Sequence, residues 1–183
     1  LRRIAHYDYW SDTVRRSILL DAKADLLVFG MGERPVWEIA RRLQAGEPIK
    51  SLKGIRGTAY LISDDEMKAH EANRATKAAD QKTVVLPSFE EVVADKEAFA
   101  RMSRDFQMET NPGNARAIAQ RHGTRGVFFN PPAKPLEDGE GKGEGSVAMD
   151  ELYDLPFNRA VHPMYGNEGV PAFETVKHSV VLM

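Results

Sequence analysis

Apolar positions along the chain fall into short runs and helical stripes. Residues 26–29 are all apolar and lie between Asp25 and Gly30, which predicts a strand buried on both faces, as in a parallel sheet covered by helices. Apolar residues then recur at helical spacing from 36 to 43, and Pro35 suits the first turn of a helix. The pattern therefore predicts a strand followed directly by a helix.

The turn Gly30-Met31-Gly32-Glu33 joins this strand to this helix. In open α/β sheets such turns lie at the carboxyl ends of the strands, where ligands usually bind, and glycine allows close backbone approach. The turn is not a phosphate motif, because the P-loop pattern and the third glycine of a dinucleotide fingerprint are missing. Gly30, Gly32 and Glu33 are candidate ligand-facing residues, although a tight connection without a ligand fits equally well.

The other elements follow from capping and strand signals. Ser11 or Asp12 caps a predicted helix that runs to about Ala22, and together with the next strand and helix this gives α-β-α, the end of a doubly wound unit. Strands are predicted at 58–62, 83–86, 126–129 and 177–183, with a hairpin turn at 123–124 and a helix capped at 88–91. The polar stretch 64–80 fits either a solvated helix or a mobile insertion.

Four regions result. Residues 1–53 are predicted to form the end of a doubly wound lobe, residues 54–136 a mixed α+β region, residues 137–148 a flexible glycine-rich loop, and residues 149–183 a linker with a final strand. The fold class is therefore α/β, and the chain begins and ends in a way that suggests a piece of a longer polypeptide.

Composition excludes several classes of protein. The 25 basic and 27 acidic residues give a net charge of -2, so no overall field attracts nucleic acid or an anionic membrane. No apolar run approaches the roughly 20 residues of a membrane span, and we expect a cytoplasmic protein. The chain has no cysteine, which excludes disulfides and thiolate-held metal within these residues.

Few polar residues suggest a site. The five histidines show no zinc-binding spacing, so no metal ligand is predicted. Arg121 and His122 stand beside a glycine, where an arginine and an imidazole can meet an anionic substrate, although a plain turn with a surface arginine explains the same residues. Asn130 and His162 are further candidates for contact with a ligand, although a plain turn explains them as well.

Several blocks of the sequence resemble YgiQ-type radical S-adenosylmethionine (SAM) proteins, large bacterial proteins of uncertain substrate. The blocks are LRRIAHYDYW, DTVRRSILLDAKADLLVFGMGE, IRGTAY, LPSFEEV, QRHG, NPPA, LPFNRAVHPMY and VPAFETVKHSVVLM. In that family the strand resembling KHSVVLM leads into a loop whose three cysteines bind a [4Fe-4S] cluster that SAM chelates. The resemblance implies that this chain precedes the radical SAM barrel, with its last strand as the first strand of the barrel.

The turn at Gly30 is also similar to the G-E-G-E turn of cobalamin-binding radical SAM proteins, with Met31 in place of the first glutamate. This similarity implies a cobalamin-binding-like, Rossmann-like lobe before the barrel. It does not imply bound cobalamin, because no D-x-H-x-x-G motif supplies a lower-face histidine.

Three functions compete. The first is an N-terminal accessory segment without catalysis of its own, which positions an unknown substrate against the barrel of the same polypeptide, where SAM and the cluster bind. The second is a module that binds a cobalamin-like or nucleotide-like molecule at residues 30–33. The third, a nucleic-acid contact, is the weakest because aromatic residues do not alternate with the arginines, which are Arg2, Arg3, Arg15, Arg16, Arg41 and Arg42.

Overall fold

The computed structural model describes residues 2–74, 82–135, 154–156, 160–166 and 168–177, with backbone only at 73 and 74. The strands in these ranges are β1 (His6–Asp8), β2 (Thr13–Arg15), β3 (Leu26–Val28), β4 (Thr58–Ile62), β5 (Thr83–Val85), β6 (Ala117–His122) and β7 (Arg125–Phe129). The α-helices are α1 (Ile18–Asp21), α2 (Glu33–Gln44), α3 (Asp64–Arg74), α4 (Phe89–Ala94), α5 (Lys96–Met108) and α6 (Pro171–Val176). Short 3₁₀ turns lie at Ile49–Ser51 and Pro163–Tyr165. None of the described helices combines the length and the apolar character needed to cross a membrane.

Five strands form one mixed sheet in the order β3-β4-β7-β6-β5. β5 and β6 are parallel, and the other neighbours are antiparallel. The β6–β7 hairpin turns at Gly123, whose φ of +60° meets the need of a two-residue hairpin turn for positive φ. The predicted hairpin is confirmed.

The sheet separates two apolar clusters, because neighbouring strand residues point to opposite faces. The larger cluster includes Leu19, Leu86, Met102, Val127 and Phe129 and lies on the face covered by α5 and the N-terminal segment. The smaller cluster lies on the other face, under α3, and consists of Ile62, Met67, Val85 and Ala119. The mixed α/β fold is thereby confirmed, whereas the Rossmann-like lobe and the barrel strand stay predictions.

The predicted helix from Ser11 or Asp12 to Ala22 is wrong. Its first half is instead the β1–β2 hairpin, and the helix that remains is the short α1, capped by Ser17. The Ser11 hydroxyl donates to Asp8 at 2.7 Å and Asp12 has a φ of +50°, so these polar residues bond within the turn and not as helix caps.

The strand predicted at 26–29 exists, but its surroundings differ from the prediction. β3 is an edge strand that pairs antiparallel with β4, and its three residues are only half-buried. α2 also forms as predicted, yet Pro35 is its only buried residue. An apolar run indicates that a strand is covered, but it does not specify the neighbour that covers it.

Other predictions fall partly on residues that are not described. A helix occupies Asp64–Arg74, which agrees with the first part of the solvated helix considered for 64–80. The glycine-rich loop at 137–148 and all of the final strand except Lys177 lie outside the described residues.

Candidate functional site at the edge of strand β3

A groove of about 370 Å³ runs along β3, and we call it the β3 groove. Its walls are formed by Arg2, Arg3, Ile18, Leu27, Val28, Phe29 and Gly30. Since side chains of consecutive strand residues alternate between faces, a groove lined by both Leu27 and Val28 follows the edge of the strand. The inner edge is occupied by β4, so the groove lies on the outer edge.

The backbone of β3 has hydrogen-bonding groups that point into this outer edge. The amide of Phe29 donates to the carbonyl of Gly57 at 2.9 Å, which places Phe29 and Leu27 in hydrogen-bonded pairs with the β4 side. The amides and carbonyls of Leu26 and Val28 therefore point away from β4. No described strand pairs with them.

Arg3 is the main polar side chain of the β3 groove. Its guanidinium lies 4.4 Å from the ring centre of Phe29 and 4.9 Å from that of Phe106, a cation–π arrangement with two rings. Burial lowers the pKa of Arg3 from its ordinary value. It makes no hydrogen bond or ion pair with the described residues, so its N–H donors can serve an acceptor in the groove.

Only one of the three turn candidates lines the β3 groove. Gly30 has a φ of +72° and lies at the end of the groove, where the backbone is open to a partner. Gly32 is the N-cap of α2 with a φ of -84°, and Glu33 is the exposed first residue of that helix. The structure therefore brings Gly30 and Arg3 to one place and leaves Gly32 and Glu33 beside it.

Arg121 lies on the opposite side of the sheet, among protein carboxylates. Its Nε and Nη2 donate to the two oxygens of Glu71 at 2.7 and 2.8 Å, and its Nη1 donates to Asp64 at 2.6 Å. These contacts raise the pKa of Arg121 and fix α3 on the sheet. The predicted encounter of Arg121 with an anionic substrate would have to displace both carboxylates.

His122 is buried, with 7% of its surface exposed, and its ring stacks on Phe89 with centroids 5.5 Å apart. Neither ring nitrogen has a hydrogen-bond partner among the described residues. Burial lowers the pKa of His122 to about 4, and the positive charge of Arg16 contributes in the same direction. His122 is therefore a neutral core residue near neutral pH.

Asn130 and His162 occupy unrelated places. The side-chain amide of Asn130 donates to the Thr58 hydroxyl at 3.0 Å, and that hydroxyl donates to the carbonyl of Ile55 at 2.6 Å. Asn130 also borders a small cavity of about 10 Å³ that Arg3 and Phe29 share, but it does not line the β3 groove. His162 is exposed and accepts from the amide of Met164 at 3.2 Å, as the cap of a 3₁₀ turn.

Most arginines considered for a nucleic-acid contact are engaged with carboxylates. Glu38 receives two of them, Arg41 at 2.8 Å and Arg42 at 2.6 Å, and both lower the pKa of Glu38. Arg15 pairs with Asp8 at 2.7 Å and Arg16 with Asp21 at 2.6 Å. These ion pairs reduce the free positive charge available to a polyanion.

The residues of this chain do not suit an iron–sulfur cluster. Such clusters are held by cysteine thiolates, and the sequence contains none. Within the described ranges, no three histidine, aspartate or glutamate side chains are grouped as metal ligands. This chain therefore supplies no thiolate ligand for such a cluster.

Comparisons with known proteins identify several relatives of this chain. Among curated proteins, the chain is 50% identical over 191 residues to a UPF0313 protein of Bradyrhizobium diazoefficiens, covering 100% of this chain and 27% of the relative. It is 41% identical over 226 residues to the UPF0313 protein YgiQ of Escherichia coli, covering 100% of this chain and 30% of the relative. A UPF0313 protein of Geobacter sulfurreducens is 48% identical over 180 residues, which is 98% of this chain and 26% of the relative.

The chain thus spans between a quarter and a third of the length of these relatives. No solved structure matches it significantly. The family model described as radical SAM N-terminal matches residues 1–179, and the chain therefore belongs to the radical SAM N-terminal family.

Proposed function

We propose that this chain is an accessory segment of a radical SAM enzyme and that it positions substrate against a cluster-bearing barrel located C-terminal to it. The observation that carries the proposal is the family match over residues 1–179 in a chain without cysteine. A radical SAM reaction needs a thiolate-held cluster, and this segment cannot supply one. Its contribution is then to pack against the barrel and to orient the substrate, while the cofactor supplies the difficult chemistry.

The first experiment compares the natural full-length protein with the 183-residue chain. Both are reconstituted anaerobically with iron and sulfide, and both are assayed for visible cluster absorbance and for methionine released by reductive cleavage of SAM. We expect both signals from the full-length protein and neither from the chain alone. A full-length protein that forms no cluster would contradict the proposal.

A second experiment separates an accessory role from a catalytic one. Arg3→Met in the full-length protein removes the main polar group of the β3 groove, and we expect cluster content and SAM cleavage to remain at wild-type levels. The matched control is Arg101→Met, because Arg101 is exposed on α5 and lies outside the groove. If the Arg3 variant folds but loses its cluster, this segment contributes to cluster binding and the accessory role is refuted.

The alternative, a small-molecule module at residues 30–33, has weaker support. Gly30 and Arg3 could contact an anionic ligand in the β3 groove, but Gly32 and Glu33 do not line it. Calorimetry of the full-length protein with cobalamins and nucleotides tests this alternative, with Glu33→Gln as the variant. A heat of binding that is seen for the wild-type protein and lost in this variant would favour the small-molecule module. No heat of binding to the wild-type protein would refute it.

A further inference from the structure

We propose that the outer edge of β3 is a strand-pairing site, filled in the natural protein by a β-strand of the same polypeptide from outside these 183 residues. The part of the protein that carries this strand also covers the apolar side of α2. The inference deepens the proposed function. It shares with that proposal only the assumption that the chain is one segment of a longer protein.

The first support is the chemistry of the strand edge. The backbone groups of Leu26 and Val28 point outward without a described partner, and β3 carries no charge or proline that would discourage pairing. The β3 groove runs beside these groups and provides the space that an added strand needs. Main-chain hydrogen bonds to an exposed edge are a common mode of chain recognition.

The second support is the adjoining helix. Val36, Ala40 and Leu43 lie on one side of α2 because they are spaced by four and three residues, and Trp37 flanks them. Val36 is 54% exposed, Trp37 61% and Leu43 42%. An amphipathic helix that turns its apolar side outward normally has a partner on that side.

The third support identifies the occupant. Between 70% and 74% of the length of the relatives lies outside the matched region, since this chain covers 30% to 26% of them, so a large part of the polypeptide is available to cover this surface. A second copy of this chain suits the edge less well, because a symmetric pairing of two β3 strands would bring the Arg2 and Arg3 side chains of both copies together. The carbonyl or carboxylate oxygens at the end of an incoming strand would instead meet the unused donors of Arg3.

The experiment compares the natural full-length protein with the 183-residue chain, both free of iron, by two mass-spectrometric methods. Hydrogen exchange follows the peptide that contains Leu26 and Val28, and hydroxyl-radical footprinting follows oxidation of Trp37. In the full-length protein we expect the outward amides to exchange at least about tenfold more slowly and Trp37 to be oxidised several-fold less. Met108, 71% exposed at the end of α5, serves as the internal comparison and should change less than Trp37.

Two proline variants test the pairing itself. Val28→Pro removes an amide that points away from β4, so it should leave the fold of the 183-residue chain intact while blocking an added strand. Thr83→Pro is the matched control at the other edge of the sheet. The bonds from the Leu86 amide to Ala119 and from the Ala117 amide to the Lys82 carbonyl show that alternate residues of β5 face β6, so the Thr83 amide also points outward.

In the full-length protein, Val28→Pro should restore the oxidation of Trp37 to the level of the isolated chain, and Thr83→Pro should not. Equal protection in both proline variants would overturn the proposal, as would Trp37 reactivity that is the same in the full-length protein and the 183-residue chain. A concentration-dependent dimer of the isolated chain that protects Leu26 and Val28 would assign the edge to a second copy instead. Because the measurements need no iron, failure of the cluster experiment leaves this result unaffected.

Discussion

The buried imidazole of His122 should make the stability of this domain fall with acidification, starting above the range in which carboxylates titrate. The ring is 7% exposed and unpartnered among the described residues, and its pKa is lowered from 6.5 to about 4. A folded-state pKa below the unfolded value means that the unfolded state binds the proton more tightly. Stability is therefore fully present above the unfolded pKa and is lost as the pH falls towards the folded one.

The magnitude follows from the two pKa values. With an unfolded pKa of 6.5 and a folded pKa of about 4 for His122, the free energy of unfolding should drop by about 2 kcal/mol between about pH 7 and about pH 5. Aspartate and glutamate side chains whose pKa is lowered by ion pairs, such as Asp64 and Glu38, lose their contribution only at lower pH, below their ordinary values of 3.8 and 4.5. The interval between about pH 5 and pH 7 therefore isolates the histidine.

The perturbation is His122→Leu, a change to an apolar side chain of similar volume. It removes an unpaired buried polar group, so stability near neutral pH should rise by about 1 kcal/mol, and the decline between about pH 7 and pH 5 should disappear. Urea denaturation of the 183-residue chain at a series of pH values measures both effects. His162→Gln, at an exposed site in a 3₁₀ turn, is the control and should keep the wild-type pH profile.

If His122→Leu retains the wild-type decline towards acid, the titrating group is not this histidine and the reasoning is refuted. A variant less stable than wild type at neutral pH, with an unchanged denaturant slope, would instead show that the imidazole has a hydrogen-bond partner in solution.

Three further changes test individual contacts of the fold: an arginine with two carboxylates, a close approach at a glycine, and a helix cap. Arg121→Met should lower the free energy of unfolding by about 1–3 kcal/mol, because it removes the guanidinium that bonds Glu71 and Asp64 of α3. Arg101→Met, at an exposed pair, should cost less than about 0.5 kcal/mol, and chemical denaturation measures both losses. Gly126→Ala should destabilise by about 1–3 kcal/mol, since a Cβ there would lie 2.7 Å from the nearest side-chain atom, and thermal unfolding should show no comparable loss for Gly169→Ala, where no atom lies within 4 Å. Ser88→Ala should cost about 1 kcal/mol through loss of the α4 capping box, and an unchanged melting temperature would contradict that role.

The elements predicted correctly from the sequence have signals within a few residues. The capping box at Ser88 and Glu91 forms as expected, with the Ser88 amide donating to the Glu91 carboxylate at 2.7 Å. The hairpin at Gly123 and the helix that begins after Gly32 follow equally local rules. Such rules fail where two local solutions compete, as at Ser11 and Asp12, which can cap a helix or close a hairpin and here do the latter.

The surroundings of β3 were beyond sequence reasoning for a different reason. The apolar residues from Leu26 to Phe29 predicted burial on both faces, and the strand formed. Its only described neighbour, however, is the antiparallel β4, whose paired residues lie 30 to 34 positions later in the sequence. Periodicity identifies a strand by its side chains, whereas pairing depends on backbone groups that all residues share. The half-buried state of β3 and the exposed side of α2 are therefore consistent with coverage by chain outside these 183 residues.

The candidate site shows the same limit at the level of single residues. Arg121 and His122 are adjacent in the sequence and looked like one polar cluster, but they alternate on β6, so the arginine faces the carboxylates of α3 and the imidazole stacks on Phe89 of α4. The partners that occupy Arg121 lie 50 and 57 residues away, at a separation no motif encodes. Conversely, Arg3 was considered only among the arginines of a nucleic-acid contact, because the two phenylalanine rings on which it lies, Phe29 directly after β3 and Phe106 in α5, come together only in the fold. A polar residue therefore says little about function until the fold shows whether its hydrogen-bond donors already have acceptors. In the described part of this chain, the donors of Arg121 have carboxylate acceptors and the donors of Arg3 have none.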